Sequence, residues 1–251
     1  FPYTTLFRSS YNVNEPVNLA STSSFSTKLG LDGVAKNYTI VTALGAPNSV
    51  TAADLQGMNG NLALNYVLGA DIDAATTLAG TGFTPIGTAA TPFSGTFDGL
   101  GHEINNLIIN RPLLHDVGLF GVAGSASVIR NVTMSNISVS GGNGVNGSNA
   151  TTYSDGGDGS DGGNVGGLAG SNFGTINNSH VSGVLLGGKG GDGGNGGEGH
   201  YEYKNGNGGD GGNGGNVGGL VGLNNGNINN STSLSVTIVG GDGGAGGDSG
   251  N

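Results

Sequence analysis

Three aspartates spaced by three, Asp155, Asp158 and Asp161 in GGDGSDGGN, are the residues of this sequence best placed to hold a cation. They match in part the nonapeptide calcium repeat GGxGxDxUx, with Gly163 at the apolar position. On an extended threefold helix three residues rise about 9 Å, too far for one ion to bridge neighbouring carboxylates of a single segment. Calcium is therefore expected only between stacked segments, as the one cofactor the chain could take. Asp71 and Asp73 in ADIDA share one face of a strand, and Asp98, His102 and Glu103 in GTFDGLGHEI invite an acid–base reading. Against that, Asp98-Gly99 is a tight-turn signal between two apolar runs. A polysaccharide lyase or hydrolase would need clustered carboxylates beside Lys or Arg, yet between Gly99 and Leu186 the only such cations are Arg111 and Arg130. No catalytic residue is assigned, and the chain is expected not to be an enzyme.

The elements that must carry these residues are unusual, because 56 of the 251 residues are glycine and 10% are charged. Such a composition builds no ordinary globular core and by itself describes a linker. The net charge of −10, with seven Lys and Arg, excludes nucleic acid and anionic membrane surfaces, which need clustered cations. No apolar run approaches a membrane span, so no membrane insertion is expected. The absence of cysteine leaves no disulfide or thiolate site and is compatible with bacterial secretion.

What argues against a linker is a strict register. In Gly187 to Asn216 the residues other than glycine fall every third position: Lys189, Asp192, Asn195 and Glu198 outward, then Asn207, Asp210, Asn213 and Asn216 on the return. Three is the period of the polyproline II helix, which glycine also adopts. Two glycines in three leave two edges bare, so that backbones approach and hydrogen-bond. The stretch is read as a hairpin of two polyglycine-II arms with a polar row (Asp192, Asn195, Asp210, Asn213) along the outer edges. A sister segment carries Asn143, Asn146 and Asn149, then Asp155, Asp158 and Asp161, and a third begins with Asp242, Ala245 and Asp248. Tyr153, Tyr201 and Tyr203 stand near the tips, where exposed aromatics suit contact with a partner.

Residues 1–9, FPYTTLFRS, fit nothing that follows and are read as a non-native leader. Residues 10–62 form an N-terminal cap region, with a strand over Tyr38 to Leu44 and a short helix over Thr51 to Met58 whose N-cap is Thr51. Short apolar runs between Gly, Asp and Asn turns give 63–140 an all-β rhythm. From Asp116 the chain repeats, with Val117, Val165 and Val217 heading three copies. With the glycine segments (141–163, 187–215 and 240–251) set aside, the coils at 164–186 and 216–239 suit one turn each of a parallel β-helix made of three short strands. In the second copy Val165, Leu168, Phe173, Ile176, Val181 and Val184 are expected to point inward, with Asn177-Asn178 and Asn229-Asn230 at bends. The three hairpins then leave one corner and stack at the inter-strand spacing of about 4.8 Å.

The string NYVLGADIDA, GFTPIG, FSGTFDGLGHEINNLIINRP, VGLFG, VGGLAGSNFGTINNSHVSG, VGGLVGLNNGNINNS resembles the filamentous-haemagglutinin-like large exoproteins and autotransporter adhesins of Gram-negative bacteria, with their Gly-Leu-x-Gly (GLUG-type) repeats. The likeness covers about Thr39 to Val239 apart from the glycine segments. It implies an all-β, right-handed parallel β-helix passenger, extracellular or on the outer cell surface, and it implies turn roles for Asp71, Asp73 and Asp98. The partner expected is a host or neighbouring cell-surface protein or glycan, or a further copy in a self-assembling filament or matrix; an ice-binding surface is a related reading.

Overall fold

The computed structural model describes residues 13, 15–28, 33–79, 82–200 and 204–250. The leader read at 1–9 lies outside them. The fold is all-β, with two short 3-10 turns and four sheets whose strands pair in parallel except at the first pair.

From Asp116 onward each pass of the chain visits the sheets in one order. The first pass runs through Asp116–Val117, Phe120–Ala123, Val128–Arg130 and Thr133–Gly141; the second through Asn164–Gly166, Ala169–Asn172, Thr175–Asn177 and His180–Leu186; the third through Val217–Gly218, Val221–Asn224, Asn227–Asn229 and Thr232–Val239. Each strand pairs with its counterpart one pass away, Val165 with Val117 below and Val217 above, Ile176 with Ile129 and Ile228. There are thus four strand segments per pass, one more than expected, because Gly118, Gly167 and Gly219 turn the chain between two very short strands. Earlier strands extend two of the sheets downward: Phe25–Lys28, Ala35–Val41, Tyr66–Leu68 and Thr96–Asp98 in one, Ile72–Asp73, Glu103–Asn105 and Ile108–Arg111 in the other.

All four sheets share one apolar core, with Val117, Val165, Phe120, Ile129, Ile176 and Met134 fully or almost fully buried. Phe93 and Phe120 stack with centroids 4.9 Å apart, and Phe97 meets Phe120 edge-on at 5.5 Å. A second, smaller core lies on the opposite face of the first sheet, where Tyr38, Ile40, Val67 and Leu100 are covered by Val13, Leu19 and Phe25.

Two residues expected inside face out, Val184 at 39% and Phe173 at 44% exposure. Strict alternation from the buried Val181 runs through Gly183 to Leu185, so Leu185 is buried and Val184 faces out; the one-residue register shift lies in the flanking strands, where 134–137 and 233–236 span three residues against two for 181–183. Phe173 yields its place to the fully buried Asn172, whose amide bonds Asn224 and accepts from the Gly174 N–H. The helix expected over Thr51 to Met58 is a 3-10 turn at Gln56–Gly60. Thr51 instead belongs to a turn closed by Ser49 and Thr51 hydroxyls on Asp54, so the cap it offers is used locally. The strand expected over Tyr38 to Leu44 runs at Ala35–Val41.

Bends are held by asparagine in the left-handed region, at Asn106, Asn131, Asn136, Asn178 and Asn230 (φ 46–57°). Asn178 and Asn230 are second members of the two pairs expected at bends. Their short polar side chains make that conformation affordable and bond along the stack.

Candidate binding surface

The glycine segments leave the body after the long strands Thr133–Gly141, His180–Leu186 and Thr232–Val239 and belong to no sheet. They run as extended arms over 142–150 and 155–163, 188–198 and 206–215, and 241–250, in two adjacent rows that form a fin on the body. The N–H groups of the arms point in three directions, one residue in three for each, and the arm 188–198, with a layer on either side, uses all three.

One set points to the next layer: Gly144, Gly147 and Ala150 donate to the carbonyls of Lys189, Asp192 and Asn195 at 2.7–2.8 Å, and Gly190, Gly193 and Gly196 to those of Asp242, Ala245 and Asp248 at 2.8 Å. A second set crosses to the other row, as where Gly191 and Gly194 donate to Ser160 and Gly157, and Gly209 and Gly212 to Gly194 and Gly191, all at 2.8 Å. The third set belongs to the polar residues themselves and is taken by side chains. The N–H groups of Lys189, Asp192 and Asn195 donate to Oδ1 of Asn143, Asn146 and Asn149 at 2.8–2.9 Å. Those of Asn207, Asp210 and Asn213 donate to Oδ1 of Asp155, Asp158 and Asp161 at 2.7–2.9 Å, and those of Ala245 and Asp248 to Asp192 and Asn195.

Asn and Asp are therefore more than solubilising edge residues. Each caps the one amide per triplet that no neighbouring backbone can reach, and only a side chain this short carries an acceptor to it. Sequence reasoning missed this use; the signal was that Asn and Asp, rather than polar residues in general, fill the rows that have a layer above them. Lys189 has no acceptor, and its Nζ instead lies 2.7 Å from Asp192 Oδ1. The bond from Lys189, and then the Ala245 N–H, hold the Asp192 carboxyl below its usual range.

The calcium candidates Asp155, Asp158 and Asp161 are brought into one row, each with one oxygen already taken by an amide. Among the described residues no group of three or more His, Cys, Asp or Glu could hold a metal ion. Tyr153 is 48% exposed with φ 53°, and its N–H donates to the Glu198 carbonyl at 3.3 Å. Tyr201 and Tyr203 lie outside the described residues. Asp192 is half-buried, and Asn195, Asp210 and Asn213 are exposed.

The acid–base candidates are held by structure. Asp98 is fully buried and accepts from Arg130 Nε at 2.6 Å, Asn131 Nδ2 at 2.9 Å and the Leu100 N–H at 3.0 Å. His102, 1% exposed, sits between Asp71 Oδ1 at 2.9 Å and the Val17 carbonyl at 3.0 Å. Asp71 also accepts the Glu103 N–H, and that bond, with the one to His102, lowers its pKa. Asp73 caps Ala75 and takes the Asn106 amide. Asp71 and His102 hold each other, and Asp73 and Asp98 hold turns.

No helix among the described residues is long and apolar enough to cross a membrane. No family model and no solved structure matches the chain. Over 148 aligned positions that cover 49% of the chain, it is 39% identical to Halomucin of Haloquadratum walsbyi, covering 2% of that protein. Over 97 aligned positions that cover 36% of the chain, it is 37% identical to a protein of Evansella cellulosilytica provisionally described as a Gly-rich membrane protein, covering 11% of it. The chain thus spans only a small part of either relative.

Proposed function

We propose that this chain is a stretch of a secreted, surface-displayed scaffold: a right-handed parallel β-helix of the kind found in filamentous-haemagglutinin-like passengers, from which it departs by carrying a fin of polyglycine-II hairpins. It acts by presenting a rigid polar surface to a cell-surface protein or glycan, and not by catalysis. The observation that carries this reading is the hydrogen bonding of the arms within and between layers, in three directions for 188–198, which gives order to segments that composition alone would leave as linkers. The name Halomucin and the membrane assignment of the second relative support a place at the cell surface.

Amide exchange tests the rigidity. Amides of Gly190 to Gly197 exchange as slowly as those of the strands; rapid exchange there, with circular dichroism showing only β and coil, returns the segments to linkers. The role in contact is tested by comparing the chain with a variant in which both complete hairpins are cut to their first two glycines, on arrays of cell-surface glycans and proteins. Equal capture by both would remove the fin from the function.

A further inference from the structure

We infer that the first hairpin is built as the closed lower edge of the fin, with Val145, Ser148 and Ser160 standing where a preceding arm would lie, so that a glycine-rich arm of a second copy cannot pair there. The positions concerned are those whose side chains point toward the layer below. In the second hairpin they are glycines, and a Cβ on Gly191, Gly194 or Gly212 would come within 2.0–2.1 Å of the carbonyl oxygens of Val145, Ser148 or Ser160. The third arm repeats the constraint at Gly244 and Gly247, 1.9–2.0 Å from Gly191 and Gly194 oxygens. Any layer that rests on another must therefore be glycine here.

In the first hairpin these positions are glycine at the base, where something lies beneath, and farther out at Gly157, where a Cβ would meet Ser148 Oγ of the same hairpin at 3.0 Å. At its base the segment 112–115 takes the place of a lower layer: Asn143 donates to the Pro112 carbonyl and Asn164 to that of His115. A Cβ on Gly163 would lie 2.0 Å from the His115 oxygen. Beyond this segment the same positions carry Val145, 74% exposed, and exposed Ser148 and Ser160.

A second observation points the same way. In the upper layers the N–H at this position of the outgoing arm donates to the returning arm of the layer below, as Gly191 does to Ser160 and Gly244 to Gly212. Val145 has no such arm beneath it, and its N–H is taken at 2.8 Å by Ser160 Oγ. The side chain that blocks the lower site also supplies the acceptor that site would have provided. Among the described residues the outward N–H groups of Asn146 and Asn149 have no acceptor, so the edge is chemically ready for pairing and is shut by bulk. Open edges of extended backbone recruit further chains, and bulk or charge at the edge is how association is prevented.

The test is a titration with the peptide (Gly-Gly-Asn)4, followed by NMR at the amides of Asn146, Asn149 and Asp158. In the wild type these signals stay fixed. In V145G/S148G/S160G, which places glycine where the upper layers already have it, they shift and become protected from exchange. Shifts of equal size in the wild type, or none in the variant, would overturn the inference. S160A provides a check in an otherwise unaltered fin: Val145 exchanges roughly tenfold faster or more while Gly191 does not change, and an unmoved Val145 amide also counts against the inference.

Discussion

Replacing Gly194 by alanine tests whether the arms are packed against one another or merely extended. A Cβ at Gly194 would lie 2.1 Å from the Ser148 oxygen and 2.4 Å from its carbonyl carbon, so the second layer must lift by about 1 Å to reach ordinary contact. Four hydrogen bonds run close to that point: Gly194 N–H to Gly157, Ala150 N–H to Asn195, Gly147 N–H to Asp192, and Asn195 N–H to Asn149 Oδ1, all at 2.7–2.8 Å. Lifting the arm takes them beyond bonding range. At about 0.5–1.5 kcal/mol each, with part of the loss relaxed away, the local cost is about 2–4 kcal/mol. Gly246 is the control, because a Cβ there has its nearest neighbour at 3.8 Å. Alanine at that position is neutral or stabilises by up to about 1 kcal/mol through the unfolded chain. The assay is amide exchange at Gly191, Gly194 and Gly197, since melting of the body does not report on the fin. G194A lowers protection there by about 30- to 700-fold, from about 1.4 kcal/mol per tenfold, and G246A leaves it within a factor of a few. Equal protection in the two variants would refute close packing.

Four further outcomes follow from the same structure. Asn149→Ala removes the acceptor of the Asn195 N–H, and exchange at Asn195 alone quickens, by roughly tenfold for an exposed bond of about 1 kcal/mol. Asp98→Ala leaves the Arg130 guanidinium, 16% exposed, without its buried carboxylate and lowers stability by about 3–5 kcal/mol in chemical denaturation. Asp71 has a folded pKa below its unfolded value of 3.8, so the stability it adds is complete above that value and is lost as pH falls through the lower folded one; D71N flattens the acid limb of the denaturation midpoint below about pH 4, by a modest amount because the carboxylate is 63% exposed. Burial raises Tyr66, whose hydroxyl donates to the Asn61 carbonyl at 2.6 Å, to about 12 from 10.0. The neutral form is favoured in the fold, so its stabilisation holds below pH 10 and is lost as pH rises toward 12; spectrophotometric titration shows Tyr66 ionising after the exposed tyrosines, together with unfolding.

The register of the copies was legible because identical residues recur in identical order: Val117, Val165 and Val217 pair as aligned. So was the order of the arms, since a period of three has few other causes. The inward face of the second pass was only partly legible. In VSGVLL the pairing of Val181 with Val184 uses a spacing of three that no strand face has; alternation from Val181 leads through Gly183 to Leu185, which is the buried residue. What this strand's sequence does not show is the extra residue in its neighbours, at 134–137 and 233–236, which shifts their register against it. The role of the fin's Asn and Asp residues depends likewise on a layer 46 to 53 residues away, a separation across which local patterns carry no information.

A column of side-chain amides has a direction, because each must donate one way and accept the other, and the residue that starts it has only to accept. In three columns of this protein that first residue is an aspartate. Asn106 and then Asn136 build on Asp73, Asn131 and then Asn178 on Asp98, and Asn164 and then Asn216 on Asp116, each Nδ2 donating to the Oδ1 of the rung below. A carboxylate meets the need at the lowest rung without leaving an amide hydrogen unpaired. The Asn172–Asn224 pair runs the opposite way, and the residue below it is Ala123, which offers no acceptor. The rows of the fin obey the same rule, with the acceptor always in the lower layer and the N–H in the upper, and their lowest layer is the one shut off by Val145, Ser148 and Ser160. Three columns of the body and the side-chain rows of the fin are thus polarised in the same sense by unrelated side chains, so that at these positions the acceptors of one pass set the register of the pass above it.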